Sequence, residues 1–182
     1  MSSISFITAL LSFGTLVADV ALALGVIWFI IDRNSLRPLL HWVGNNALEL
    51  GLIAAALATL GSLFFSNVVG YAPCELCWWQ RIFLYPQVVL FAVALVYRIK
   101  NKPLGPTFSV SGVLSLLSLG IGLFQYYGAT WNPSALAGCA ATGVSCAKTY
   151  FTEFGFVTMP VMAVTIALLL LAIVASRRYA HS

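Results

Sequence analysis

Charge is what this chain has least of. Nine Lys and Arg and five Asp and Glu make up 8% of its 182 residues, where a soluble domain carries about 25%. That shortage excludes a water-soluble globule. Basic clustering is missing too: the nine cations sit near helix ends with no interleaved aromatics, so the net charge of +4 does not describe a nucleic-acid face. Internal repeats and low-complexity linkers are absent, which leaves one helical-bundle domain. Histidine is limited to His41 and His181, both read as solvated, and cysteine to four residues. What fills the chain instead is apolar: 61% hydrophobic residues and a mean hydropathy of +0.98 mark an all-α membrane protein.

Five apolar stretches are long enough to span, each needing about 20 residues to cross a core of roughly 30 Å. They are expected near 5–31, 47–69, 78–97, 107–128 and 155–176. The first is longer than a bilayer needs and can tilt. It does not read as a signal peptide, because no Lys or Arg precedes it and no small-x-small cleavage site is evident. Residues 1–46 are read as an extra N-terminal transmembrane helix with a cytoplasmic loop, and 47–182 as a four-helix bundle domain.

Cations are retained on the cytoplasmic side. Arg33, Arg37, Arg98, Lys100, Lys102, Arg177 and Arg178 fall on one side, against only Arg81 and Lys148 on the other. The N-terminus and the loops 70–78 and 129–154 are therefore expected outside, with the C-terminus inside. Pro73 introduces the third helix, Pro103 and Pro106 bracket a tight turn, and Pro86 should kink or loosen one turn of the third span. The longest loop, 129–154, is rich in Trp131, Leu136, Val144, Tyr150, Phe151 and Phe154, which suggests a surface-lying segment with a short interfacial helix.

The cysteines pair off in those two outer loops, as Cys74-Glu-Leu-Cys77 and Cys139-x6-Cys146. Paired thiols beside a hydrocarbon core are placed to move electrons between a soluble protein and a lipid-soluble carrier. Cys74 and Cys77 share a helical face, and Arg81 falls on it four residues further on. A helix N-terminus and a fixed cation both favour the thiolate. An Arg inside the apolar boundary needs a partner, and a quinone carbonyl that gains negative charge on reduction suits it. Other readings stand beside this one. Four cysteines can hold zinc, although neither loop has a His and Arg81 would repel a cation. Arg81 can be a snorkelling anchor, Trp78 and Trp79 can be interfacial belt residues rather than stacking platforms, and Cys139–Cys146 can be a structural staple. Gly143 gives the second pair the freedom to close, and an exposed pair there would be open to a soluble thiol protein.

The run Pro73-Cys-Glu-Leu-Cys-Trp-Trp-Gln-Arg81, with Tyr85-Pro86 and the later Gly155-Phe-Val-Thr-Met-Pro160, resembles the DsbB/BdbC family of quinone-linked disulfide-forming membrane proteins. The resemblance covers about 47–176. It implies a quinone-dependent protein disulfide oxidoreductase of the bacterial inner membrane, whose cofactor is ubiquinone or menaquinone. A reduced, soluble DsbA/BdbD-like thioredoxin-fold partner would attack Cys139, and Cys146 would resolve through Cys74. Cys77 would engage the quinone with Arg81 assisting, and Trp78 and Gln80 are further candidate contacts. The chain departs from the family pattern in two places. Gln125-Tyr126-Tyr127 stands where a His is expected, and the span 5–31 has no counterpart in the four-helix core. That span carries Asp19 near mid-membrane, where an unpaired carboxylate costs about 2.5–3.5 kcal/mol; it should face the bundle or a second membrane subunit, or simply be tolerated. Two alternatives remain: a vitamin K epoxide reductase-like enzyme, in which the loop pair precedes the membrane pair, and a non-catalytic membrane assembly or transport subunit with structural disulfides.

Overall fold

The computed structural model of the protein describes residues 3–104, 106–140 and 143–180. His181 lies outside them. The order is α1 (Ser3–Ile31), α2 (Arg37–Asn45), α3 (Ala47–Leu63) running into a π-helical turn (Phe64–Val68), α4 (Glu75–Ile99), α5 (Thr107–Thr130), a 3-10 helix (Pro133–Ala140) and α6 (Met159–Ala180). Five helices are long and apolar enough to cross a membrane, α3 counted together with its π turn. Among the described residues there is no strand, only a single bridge between Glu153 and Val157.

Three details depart from the sequence reading. The third span begins at Glu75, because Cys74 caps it. The last begins at Met159 rather than 155: Glu153 and Val157 close a tight turn, in which Phe154 and Gly155 take φ of 51° and 80° and so cannot be helical. The helix α2 was not anticipated. Asp32 Oδ1 accepts the N–H groups of Asn34 and Ser35, folding the chain back after α1, and Pro38 in the first turn fits a helix start. The expected interfacial helix of the long loop is the 3-10 segment.

α3, α4, α5 and α6 form a closed ring in which each packs on the next and α6 returns to α3. α2 lies against α6, where Arg177 Nη1 donates to the Gly44 carbonyl at 3.3 Å. α1 packs outside the ring, on α6. The helices bury small and polar faces and turn large apolar ones outward, as suits a lipid solvent that gives no hydrophobic drive between helices. On α5, Ser111, Ser115, Ser118, Gly122 and Gln125 face inward at alternating spacings of four and three, while Val113, Leu116, Leu117, Leu123 and Phe124 are exposed. Gln87 of α4 ties into that face: Ser111 Oγ donates to its Oε1 at 2.7 Å, and its Nε2 donates to Ser115 Oγ at 3.3 Å.

Apolar packing fills the cytoplasmic half expected from the charges, where Leu48, Ala55, Leu84, Phe91, Ala94 and Leu170 form one buried cluster. Phe91 is 0% exposed because α3 offers it Gly51. A Cβ at that position would stand 2.6 Å from the ring. Gly51→Ala should therefore lower stability by about 1–3 kcal/mol through overpacking, read as the unfolding midpoint in detergent, and adding Phe91→Leu should restore part of it. An unchanged midpoint for Gly51→Ala would mean the ring yields freely.

Candidate functional site

Local chain geometry sets the first cysteine pair. After the π turn, Gly70 takes a φ of 81° and the chain runs through Pro73 into an extended Cys74 (φ −77°, ψ 175°). That conformation makes Cys74 the N-cap of α4, and its Sγ accepts the Cys77 N–H at 3.4 Å. One turn on, Cys77 brings its Sγ to 2.9 Å from that of Cys74, both as free thiols. The hydrogen bond with Cys77 and burial together push the Cys74 thiol up. The two thiols differ in position, Cys74 capping the helix and Cys77 lying inside its first turn.

The second loop is folded down onto the first. Tyr150 stacks on Tyr71 with ring centroids 4.3 Å apart, and its hydroxyl donates to the Ala72 carbonyl at 2.8 Å. Phe65 at the π turn packs on both Tyr71 and Phe151. Cys139, near the end of the 3-10 helix, is disulfide-bonded to Cys146, with their Cα atoms 5.8 Å apart. The pair is only partly exposed. Cys146 is 1% exposed and clusters with Cys74 and Leu136, while Cys139 is half-buried at the rim. Leu136 and Cys146 are apolar and find cover at the loop-side ends of α4 and α5, which draws the loop inward.

Gln125, deep at the end of α5 and 4% exposed, joins the two pairs. Its Nε2 lies 3.3 Å from Cys74 Sγ, 3.7 Å from Cys77 Sγ and 3.5 Å from the Cys146 carbonyl oxygen. Its Oε1 accepts from Gln80 Nε2 at 3.2 Å, which fixes the amide's orientation. A small pocket of about 40 Å³ lies at this junction.

On the other side of Cys77 is a cavity of about 350 Å³, walled by α1, α3, α4 and α6. Arg81 lines it. Its Nε and Nη2 donate to the hydroxyl and carbonyl oxygen of Ser62 at 3.1 and 3.3 Å, and its guanidinium lies 5.2 Å from the ring centroid of Trp78. Tyr85 donates to the same Ser62 hydroxyl at 3.0 Å. One end of the cavity thus carries Cys77, Gln80, Arg81, Tyr85 and Ser62, and the remainder is mostly apolar. Among the four cysteines, Cys77 alone lines this cavity; Cys74 and Cys146 line only the small junction pocket.

The model of the DsbB disulfide bond formation protein family matches residues 45–176. The chain belongs to the DsbB family. It is similar to the probable disulfide formation protein C 1 of Bacillus cereus, at 42% identity over 113 residues, covering 60% of this chain and 76% of that protein. A probable disulfide formation protein of Metapseudomonas resinovorans is 37% identical over 132 residues, covering 70% of this chain and 89% of its own. The disulfide bond formation protein C of Bacillus subtilis is 35% identical over 124 residues, covering 65% and 83%. No solved structure matches the chain. As a DsbB-family member the protein is a membrane disulfide-forming oxidoreductase by class, and α1 lies wholly outside the matched stretch.

Of the sequence-derived candidates, Cys74, Cys77, Cys139 and Cys146 come together at one end of the bundle, and Arg81 and Gln80 reach the cavity. Trp78 does not line the cavity and instead lies under Arg81. Sequence reasoning passed over Ser62 and noted Gln125 only as a departure from the family's pattern. The signal for Gln125 was its place on the four-and-three polar stripe of α5; Ser62 had no signal, since the π turn that follows it was not foreseen. With Gln125 donating to both sulfurs, Gln125→Leu should slow exchange between the two pairs about 10–100-fold, the worth of a hydrogen bond to a developing thiolate. Reduction of Cys139–Cys146 by a small thiol should stay at the wild-type rate. Equal slowing of both reactions, measured by quenched alkylation, would mark the effect as a general loss of structure.

Proposed function

We propose that the protein reoxidises a soluble, extracytoplasmic, thioredoxin-like thiol oxidase and passes the two electrons to membrane quinone. The observation that carries the reading is the division among the cysteines: Cys77 faces the membrane-depth cavity, Cys74 and Cys146 meet behind it, and Cys139 is at the accessible rim. In this reading the protein sits in the bacterial cytoplasmic membrane, which its family supports, and the cation distribution supports an orientation with the N-terminus and both cysteine loops outside.

The cavity suits a quinone. Its apolar walls match a ring and lipid tail, and its polar end offers donors where the oxygens would lie. Ser62 engages two of the five N–H groups of Arg81, leaving three for a carbonyl oxygen, and Tyr85 and Gln80 flank them. Bound there, a quinone would supply an acceptor for two electrons and two protons.

The protein's own steps are thiol exchanges. A thiolate of the reduced partner attacks Cys139, forming a mixed disulfide and releasing Cys146 as thiolate. Cys146 attacks Cys74 in the oxidised Cys74–Cys77 pair, releasing Cys77 as thiolate. The partner's second thiol then displaces Cys139 and leaves the partner oxidised, and Cys139 in turn displaces Cys74 from Cys146. The balance is one partner dithiol oxidised, the loop disulfide restored, and Cys74 and Cys77 reduced. Arg81, held by Ser62 and sharing the cavity with Cys77, supplies a fixed positive charge beside the emerging sulfur anion.

Quinone reduction driven by a reduced thioredoxin-like protein should be lost in both Cys74→Ser and Cys77→Ser. A reduced partner variant lacking its second thiol should accumulate a mixed disulfide with the wild-type protein, visible on a non-reducing gel and lost in Cys139→Ser. Wild-type turnover in either of the first two variants would overturn the route.

A further inference from the structure

α1 lies outside the four-helix ring, yet it is not built as a passive anchor. Thr8, Ser12, Thr15 and Asp19 recur along it at spacings of four, three and four, which places them on one stripe. A helix meant only to sit in lipid has no use for such a stripe. Here it faces protein: Ser12 is 0% exposed and Thr8 is buried. At its lower end Asp19 Oδ1 accepts a hydrogen bond from Thr165 Oγ1 of α6 at 2.6 Å. A carboxyl group at membrane depth with a polar partner on the neighbouring helix fixes both the rotation and the depth of α1.

That rotation turns one flank of α1 toward the cavity. Leu10, Leu11, Gly14, Thr15 and Ala18 line it together with Cys77 and Arg81, and Thr165 lines it as well as holding Asp19. We propose that α1 is a working wall of the carrier cavity, latched by the Asp19–Thr165 hydrogen bond, and that it determines how a quinone is admitted and held beside Cys77. The proposal rests on reading this cavity as the quinone site. α3 and α6 are neighbours in the ring, and α1 covers the lipid-facing side of the space they share with α4. Without it, that side is open to lipid, and acyl chains compete for the apolar part of the site. Gly14 lines the cavity, and a Cβ added there meets no atom within 4 Å. It is exposed at the cavity's edge, so a bulky side chain there has open space at the cavity mouth to occupy.

The test compares quinone kinetics with carrier-independent exchange in the full-length protein, using a short-chain benzoquinone as probe. Gly14→Trp should raise the KM for the quinone at least tenfold, while the single-turnover exchange between the loop disulfide and a reduced thioredoxin-like protein stays at the wild-type rate. Gly14→Ala should behave as wild type. Asp19→Leu and Thr165→Val should each raise KM several-fold, and the double variant no further, because both remove one bond. Should Gly14→Trp fail to fold, Ala18→Phe probes the same wall one turn on. A wild-type KM in the folded bulky variant overturns the role of α1 and leaves the quinone reading standing. Absence of quinone reduction by the wild-type protein overturns that reading, and the proposal with it.

Discussion

Arg81 has to be held by protein, and much of the structure follows from how that is done. It lies inside an apolar span, where a guanidinium without partners is among the most expensive groups a helix can carry. Ser62 supplies both a hydroxyl and a carbonyl oxygen. A carbonyl in a regular helix interior is engaged by its own ladder, but Ser62 stands just ahead of the π-helical turn, where the ladder changes register. The Ser66 hydroxyl reaches the same carbonyl at 3.2 Å. The π turn is therefore both a structural irregularity and a means of presenting acceptors to α4. The same turn carries Phe65 and leads the chain into the loop with Tyr71, and both rings pack on the second cysteine loop.

The rule that polar groups at membrane depth must find partners inside the protein organises the remaining contacts. Gln87 with Ser111 and Ser115, Gln80 with Gln125, and Thr165 with Asp19 are three pairings between helices at different places in the fold. Two of them join α4 to α5 and the third joins α6 to α1. They fix rotation, which dispersion between smooth apolar surfaces does poorly. Two of the three also serve the candidate site: Gln80 orients the amide that touches both cysteine pairs, and Asp19 holds α1 at the cavity's edge.

The number of spans, their approximate limits and the grouping of the cysteines were legible in the sequence, because membrane helices are written as long apolar runs and thiols are rare enough to stand out. The face of α4 was legible for the same reason: Cys74, Cys77 and Arg81 follow helical spacing. What the sequence did not disclose depended on contacts between distant segments. The burial of Cys146 requires Leu136 and the end of α4 to be beside it, and nothing in Gly138–Lys148 alone says so. The π turn has no compositional mark in Phe64–Val68. Gln125 was visible only as a departure from the family's pattern, whereas its role in the structure comes from Gln80, 45 residues earlier in the chain.

The position of the helix start decides where each thiol lies. Because α4 begins at Glu75, Cys74 is the cap and stays at loop level, in contact with Cys146. Cys77 is one turn deeper and faces the cavity, and Arg81 is a further turn down on the same side. At 1.5 Å per residue, the seven residues from Cys74 to Arg81 span about 10 Å along the helix axis. That distance joins the loop surface to the cavity using one rigid element, along which the two sulfurs are in contact. A helix beginning one turn later would leave both cysteines in the loop and disengage them from Arg81; one beginning a turn earlier would bury both away from Cys146. Pro73, immediately before the cap, stops the helix from extending backward, since the residue it follows is steered out of the helical region. The depths of the two thiols are thus set by a proline and a cap, before any cofactor or partner is considered.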